Sequence, residues 1–207
     1  MLNISLSRFK KLHKNKKNQV LYLSFKTEGI IEIKNLINNF LIEKNSFIFE
    51  SVEKGVIRGR YTIFGKKPDK IWEFNKNFSY IFKNGKKFRI KGTPIHNIDK
   101  IIESFKFNTP KELPKISSII SGYFSYDIIR YVEKIPNKCL DDLNLPDARL
   151  IRPKILIVHD NLKKKIFYIY NCFREEKIIN YKNKYNEILN ELEYNVFLSN
   201  YKNIENI

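Results

Sequence analysis

Asn84-Gly85 lies between Tyr80–Phe82 and Lys87–Ile90, two short runs of β-forming residues, and this arrangement limits the possible folds more than any other feature. Asn-Gly favours the primed turns whose twist matches that of paired antiparallel strands, so a tight hairpin is predicted there. A second hairpin is predicted where Lys154–His159 and Lys165–Tyr170 are joined by D-N-L-K-K. S-F-I-F-E-S at 46–51, a turn offered by Gly55 and a returning run over 58–64 form a third, hairpin-like pair. Q-V-L-Y-L-S-F at 19–25, the run 71–74 and the run 119–125 are further strand candidates, with Pro68-Asp69 expected to break the pattern before Ile71. Strands outnumber helices, and most neighbours lie close enough to pair antiparallel. The expected class is therefore α+β, a largely antiparallel sheet with flanking helices.

Helical spacing is present in three places. Ile33, Leu36, Ile37, Phe40 and Leu41 mark 32–42, and Ile98, Ile101, Ile102 and Phe105 mark 96–105. Ile178, Tyr181, Tyr185, Ile188, Leu189 and Leu192 mark a long amphipathic helix over 175–194. A further helix is expected over 126–132, and a loop over 136–147. Residues 1–18 read as a basic, flexible segment, 19–195 as one domain, and 196–207 as a polar tail. Trp72 is assigned to the core. Tyr123, Tyr126 and Asp127 are assigned to core packing with a helix cap, and Arg130 with Glu133 to an i,i+3 pair.

Composition narrows the function classes. Apolar residues make up 43% of the 207 positions, enough for a sizeable core. No apolar run approaches the roughly 20 residues that span a bilayer, and the basic N-terminus has no apolar segment behind it to make a secretory signal. A cytoplasmic protein with no membrane partner is expected. The net charge of +17 raises the prospect of nucleic-acid binding. Its carriers, however, are mostly lysines spread from Lys10 to Lys202, and the chain is rich in the Asn, Ile, Phe and Tyr that AT-rich codons favour. Readers of nucleic acid concentrate arginine at bidentate contacts, and no such cluster is present. Cys139 and Cys172, and His13, His96 and His159, are scattered singly, so neither a disulfide framework nor a metal site is expected.

Two longer stretches carry a family likeness. F-I-F-E-S-V-E-K-G-V-I-R-G-R-Y-T-I-F-G-K-K-P-D-K-I-W-E-F at 47–74 resembles the N-terminal signature of the large subunit (component I) of anthranilate synthases. G-Y-F-S-Y-D-I-I-R-Y-V-E-K-I-P from Gly122, followed by D-D-L-N-L-P-D-A and R-P-K-I-L-I-V-H-D, is similar to that family's Gly-Tyr-x-Gly-Tyr-Asp block and the strand after it. The two blocks stand in the family's order and at its separation, and the resemblance covers roughly 20–195. Two positions depart from the pattern. Thr27-Glu28-Gly29-Ile30 lacks the proline of the family's Thr-Pro-Val step, and Ser125 replaces the block's second glycine. If that glycine needs a positive φ or a close backbone approach, Ser125 costs stability.

The resemblance implies the N-terminal part of the layered αββα fold of chorismate-utilising enzymes. It also implies that Glu50 and Ser51 help bind L-tryptophan, the feedback inhibitor, with Arg60 the best match for a further basic contact and Arg58 its rival. A carboxylate can receive the effector's ammonium, and a hydroxyl can serve its other polar groups. From spacing alone, Glu50 and Ser51 could equally satisfy turn amides, and Arg58 and Arg60 could be a solvated pair. No catalytic constellation is found, and the family's Mg²⁺-dependent conversion of chorismate is expected to reside in a C-terminal chorismate-binding domain absent from these residues. The chain is expected to be inactive alone and, without that domain, to leave an apolar face and strand edges open. Its implied partners are that domain and the glutamine amidotransferase subunit (component II). Three alternatives stay open: the aminodeoxychorismate synthase large subunit, a stand-alone regulatory module, and a basic nucleic-acid-binding protein.

Overall fold

A computed structural model describes residues 1–27, 37–41, 43–50, 59–136, 138 and 140–200. Helix α1 (Leu6–Lys14) and strand β1 (Gln19–Lys26) are followed by β2 (Phe47–Phe49), β3 (Tyr61–Asn75), β4 (Phe78–Lys83) and β5 (Lys86–Ile90). Next come α2 (Pro94–Ser104), β6 (Ser121–Phe124), β7 (Ala148–Asp160), β8 (Lys165–Cys172) and α3 (Tyr181–Asn200), with 3₁₀ turns at Lys115–Ser117 and Tyr126–Tyr131. Hydrogen bonding runs in the order β1-β8-β7-β3-β4-β5, with β2 on β3 and β6 on β7. The registered pairs are antiparallel, and the tight connections of β3–β4, β4–β5 and β7–β8 require that direction. Asn84 and Gly85 adopt φ of 51° and 71°, the conformation of the predicted primed turn. The chain divides into two compact units rather than the single expected domain, and β3 and β7 contribute to both.

The first unit holds Met1–Lys67, Phe107–Ser118 and Lys154–Ile207. Its core takes Leu21 and Leu23 from β1, Ile155 and Ile157 from β7, and Ile166, Tyr168 and Tyr170 from β8. These alternate along their strands and so share one face. Their neighbours Leu156, Val158, Phe167 and Ile169 are buried as well, which accounts for β7 reading as a continuous apolar run. Ile188 and Leu192 of α3 close the core, with Ile178, Tyr181, Tyr185 and Leu189 packed around them. All six residues of the predicted apolar stripe thus face inward. The helix begins later than expected because Asn180 caps it, its side chain accepting from the Asn183 amide at 3.0 Å, and it runs on to Asn200.

The basic N-terminal segment is the clearest correction in this unit. Instead of a flexible arm, it forms α1, capped by Ser5, with Phe9 fully buried. Phe9 meets the rings of Tyr181 and Tyr185 at 6.1 and 6.0 Å. His13 donates from Nε2 to the Glu176 carbonyl, and its Nδ1 meets the Tyr181 hydroxyl, both at 3.0 Å. Of the expected helix over 32–42, residues 37–40 are helical and most of the rest lies outside the described residues.

Just before α3, Glu176 Oε1 sits 2.9 Å from Lys154 Nζ and 3.0 Å from Lys184 Nζ. Burial pushes its carboxyl pKa up, but the charge and hydrogen bonds of the two lysines outweigh burial and hold it below its ordinary value of 4.5. A carboxylate whose pKa is depressed by folding stabilises the fold above its unfolded pKa, and that stabilisation is lost as pH falls through the folded one. Unfolding free energy should therefore fall on acidification below about pH 4.5. In Glu176→Gln the slope over this window should be shallower by at most one proton's worth, about 1.4 kcal/mol per pH unit. Urea titrations at several pH values measure this, and parallel pH profiles would remove Glu176 from the account.

The second unit holds Pro68–Lys106 and Ile119–Pro153. Trp72, Phe74, Ala148 and Leu150 pack against Ile98 and Ile101 of α2, as expected for Trp72. Two buried polar groups satisfy each other there, Asn97 donating to Ser79 Oγ at 3.0 Å. The expected break at Pro68-Asp69 does not occur, since β3 runs through it. Lys67, left-handed at φ 50°, takes up the irregularity ahead of the proline, and Asp69 holds Arg152 through a two-armed ion pair. Tyr123 and Tyr126 are 41% and 85% exposed, so they are not the core residues expected. Arg130 pairs with Asp127 at 2.7 Å rather than with the expected Glu133. Asp127 therefore takes part in an ion pair instead of the predicted cap, and the cap position belongs to Ser125.

Candidate functional site

The family signature at 47–74 includes β2 and most of β3. Phe47, Ile48 and Phe49 pair with Gly65, Phe64 and Ile63, so the end of the pair at which Glu50 follows Phe49 is also the end at which Arg60 precedes Tyr61. The sequence-predicted residues Glu50 and Arg60 are thereby brought to one end of a hairpin, with Glu50 exposed. Ser51 and the rival Arg58 lie outside the described residues.

Arg60 is held from below by the turn that ends β7. Its Nε donates to Asp160 Oδ1 at 3.1 Å and its Nη2 to Oδ2 at 2.8 Å, the two-armed geometry that suits a guanidinium to a carboxylate. The Asp160 side chain is buried and also accepts the amides of Leu162 and Lys163 at 3.2 and 3.0 Å. Burial pushes the Asp160 carboxyl up. The Arg60 hydrogen bond, the two amides and the arginine's charge together outweigh burial and hold the carboxyl below the usual carboxylate range. The Arg60 guanidinium also lies 4.9 Å from the centroid of the Tyr61 ring.

The residues on either side of Asp160 tie in two further backbone segments. The Asn161 amide donates to the Arg60 carbonyl at 2.8 Å, and its side-chain Nδ2 donates to the Gly59 carbonyl at 3.1 Å. That orientation turns Asn161 Oδ1 toward His159 Nδ1, 2.7 Å away. His159 Nε2 meets the Thr27 hydroxyl at 2.9 Å. The consecutive residues His159, Asp160 and Asn161 thus fix the chain just after β1 and just before β3. Sequence reasoning did not single out Asp160 or Asn161 and took His159 only as a scattered histidine, although the three end and follow the quoted R-P-K-I-L-I-V-H-D block.

In the second unit a cavity of about 370 Å³ is lined by Lys76, Thr93, Asp127, Arg130, Tyr131 and Asp147 among others. Its polar groups satisfy one another: Asp147 accepts the Tyr131 hydroxyl at 2.8 Å and the Lys76 amide at 2.5 Å. Burial, then the bond to Asp147, pushes the Tyr131 hydroxyl pKa upward. Among the described residues, no group of three or more His, Cys, Asp or Glu is placed to hold a metal ion. No helix of the described residues is long and apolar enough to cross a membrane.

No family model matches the chain. Individual proteins do. It is 32% identical over 167 residues to anthranilate synthase component 1 of Cereibacter sphaeroides, covering 78% of this chain and 33% of that protein. It is 36% identical over 138 residues to the Acetivibrio thermocellus component 1, covering 66% and 28%. Among solved structures, anthranilate synthase component I from Streptococcus pneumoniae superposes with a TM-score of 0.51 at 25% identity, covering 82% of this chain and 37% of that one. The chain spans about a third of the length of the curated relatives it matches. By sequence over most of its length, and by fold, the chain is a homologue of part of anthranilate synthase component 1.

Proposed function

We propose that this chain is the regulatory, N-terminal portion of an anthranilate synthase component 1, the subunit that converts chorismate and ammonia to anthranilate and pyruvate. The observation that carries this reading is the alignment of most of the chain with component 1 proteins. The relatives reported above bear the anthranilate name, which favours this branch over aminodeoxychorismate synthase. In this reading the chain supplies Glu50, Ser51 and Arg60 to L-tryptophan, while the chorismate pocket and its Mg²⁺ belong to the remainder of the subunit. Glu50 takes the ammonium, Ser51 a neighbouring polar group and Arg60 the carboxylate. Such an effector acts only through different affinities for the active and inactive states. Ammonia comes from a glutaminase partner.

The exposed apolar residues of the second unit support the same reading. Tyr126, Val132, Leu140, Leu143 and Leu145 are each more than half exposed, a concentration that isolated globular surfaces rarely carry and that the rest of a larger subunit can cover. The test is anthranilate fluorescence from the native gene product given chorismate, ammonium and Mg²⁺. Anthranilate is expected to form, and L-tryptophan is expected to suppress it. A gene product that consumes no chorismate overturns the proposal.

A further inference from the structure

We infer that Asp160 is a positioning residue of the effector site: it locks the Arg60 guanidinium so that the edge not bonded to Asp160 is presented to the carboxylate of an amino-acid effector. The inference rests on the effector reading above. Its basis is donor arithmetic. A guanidinium has five N–H donors in one plane, and the Asp160 fork uses two of them, one on Nε and one on Nη2. Three remain, one on Nη2 and two on Nη1, so that the Nη1–Nη2 end can offer two side by side, and the Arg60 side chain is 28% exposed whereas that of Asp160 is 2% exposed. The buried partner therefore fixes the plane and the exposed edge is left to meet an anion.

Asp160 is itself fixed. The Leu162 and Lys163 amides bind its Oδ1, and Asn161 pins the backbone of Gly59 and Arg60 through two further bonds. An arginine on a long flexible stem loses rotamer freedom when it binds a ligand. One already held by a buried carboxylate has lost that freedom on folding, so its donors are pre-organised for a planar carboxylate. The geometry separates two roles on one side chain: the inner edge of Arg60 is structural and the outer edge binds.

The test uses the whole chain with ¹⁵N-labelled arginine, comparing wild type with Asp160→Asn, Asp160→Glu and Arg60→Lys. Hydrogen exchange at Arg60 Nε and the affinity for L-tryptophan are read together. The expected result in Asp160→Asn is at least tenfold faster exchange at Nε and at least tenfold weaker tryptophan binding, with the carboxylate in Asp160→Glu recovering part of both. Arg60→Lys leaves Asp160 and its turn amides intact. It should keep the thermal transition while losing tryptophan affinity, which secures the comparison if Asp160→Asn does not fold. Unchanged exchange in Asp160→Asn, or unchanged tryptophan affinity beside wild-type binding, overturns the positioning role while the effector reading stands. If the wild type and the intact native protein both ignore tryptophan while Asp160→Asn still frees Nε, the effector reading fails and the locking of Arg60 by Asp160 stands.

Discussion

Replacing Gly122 by alanine should lower the unfolding free energy by about 3 kcal/mol, at the upper end of the usual cost of overpacking, and release β6 from β7. Gly122 pairs with Leu150, and a Cβ built on it lies 1.9 Å from the Arg149 carbonyl oxygen and 2.9 Å from Leu150 Cα. These are backbone atoms of β7, a strand buried along most of its length, so no side-chain rotation relieves the clash. The four-residue β6 must yield instead, losing its ladder over Ser121–Phe124. This gives the first glycine of the Gly-Tyr-x-Gly-Tyr-Asp block a steric reason. The second position needs none: Ser125 has φ −72° and ψ 167°, ordinary extended backbone, so the serine costs nothing there. Urea denaturation checks the magnitude, and hydrogen exchange at Tyr123 and Phe124 checks the location. A Gly122→Ala protein with wild-type stability would show that β6 does not lie against β7 as described.

Phe9→Ala should cost about 3–5 kcal/mol, the range for truncating a buried phenylalanine. Phe9 is fully buried, and its ring borders both Tyr181 and Tyr185 of α3, so the cavity left behind is walled by two large rings and cannot simply close. The Phe9 carbonyl also accepts from Gln19 Nε2 at 3.2 Å, tying α1 to the start of β1. A loss of this size is a large part of a typical domain's 5–15 kcal/mol. Equilibrium denaturation, with Lys11→Ala on the exposed face as control, measures it. A cost near that of the control would restore the flexible basic arm that the sequence suggested.

Both residues illustrate what the sequence reveals and what it hides. The hairpins at Asn84-Gly85 and at D-N-L-K-K were legible because turn chemistry and strand periodicity are local. The stripe of α3 was legible because six apolar residues repeat at helical spacing. Helix α1 was not, since its buried side is only Phe9 and His13 among lysines, too thin a stripe to outweigh the basic composition. Proline rules stop a strand at Pro68, but Lys67 in a left-handed conformation lets β3 continue. Aromatic residues are assigned to cores by default, which misplaced Tyr126. Of the proposed effector site, Glu50 and Arg60 were suggested by the family motif. Asp160 was not, because its bond to Arg60 joins positions one hundred residues apart, and no local pattern encodes such a pairing.

The role proposed for this chain is to carry the effector-binding part of an anthranilate synthase subunit. Its most direct test is L-tryptophan inhibition of anthranilate formation by the intact native protein, wild type against Ser51→Ala. The account predicts inhibition of the wild type and at least a tenfold higher half-inhibitory concentration in the variant, the loss of about 1.4 kcal/mol expected for one hydrogen bond to a charged ligand. Identical inhibition curves for the two proteins, or a wild type that tryptophan leaves fully active, would contradict it.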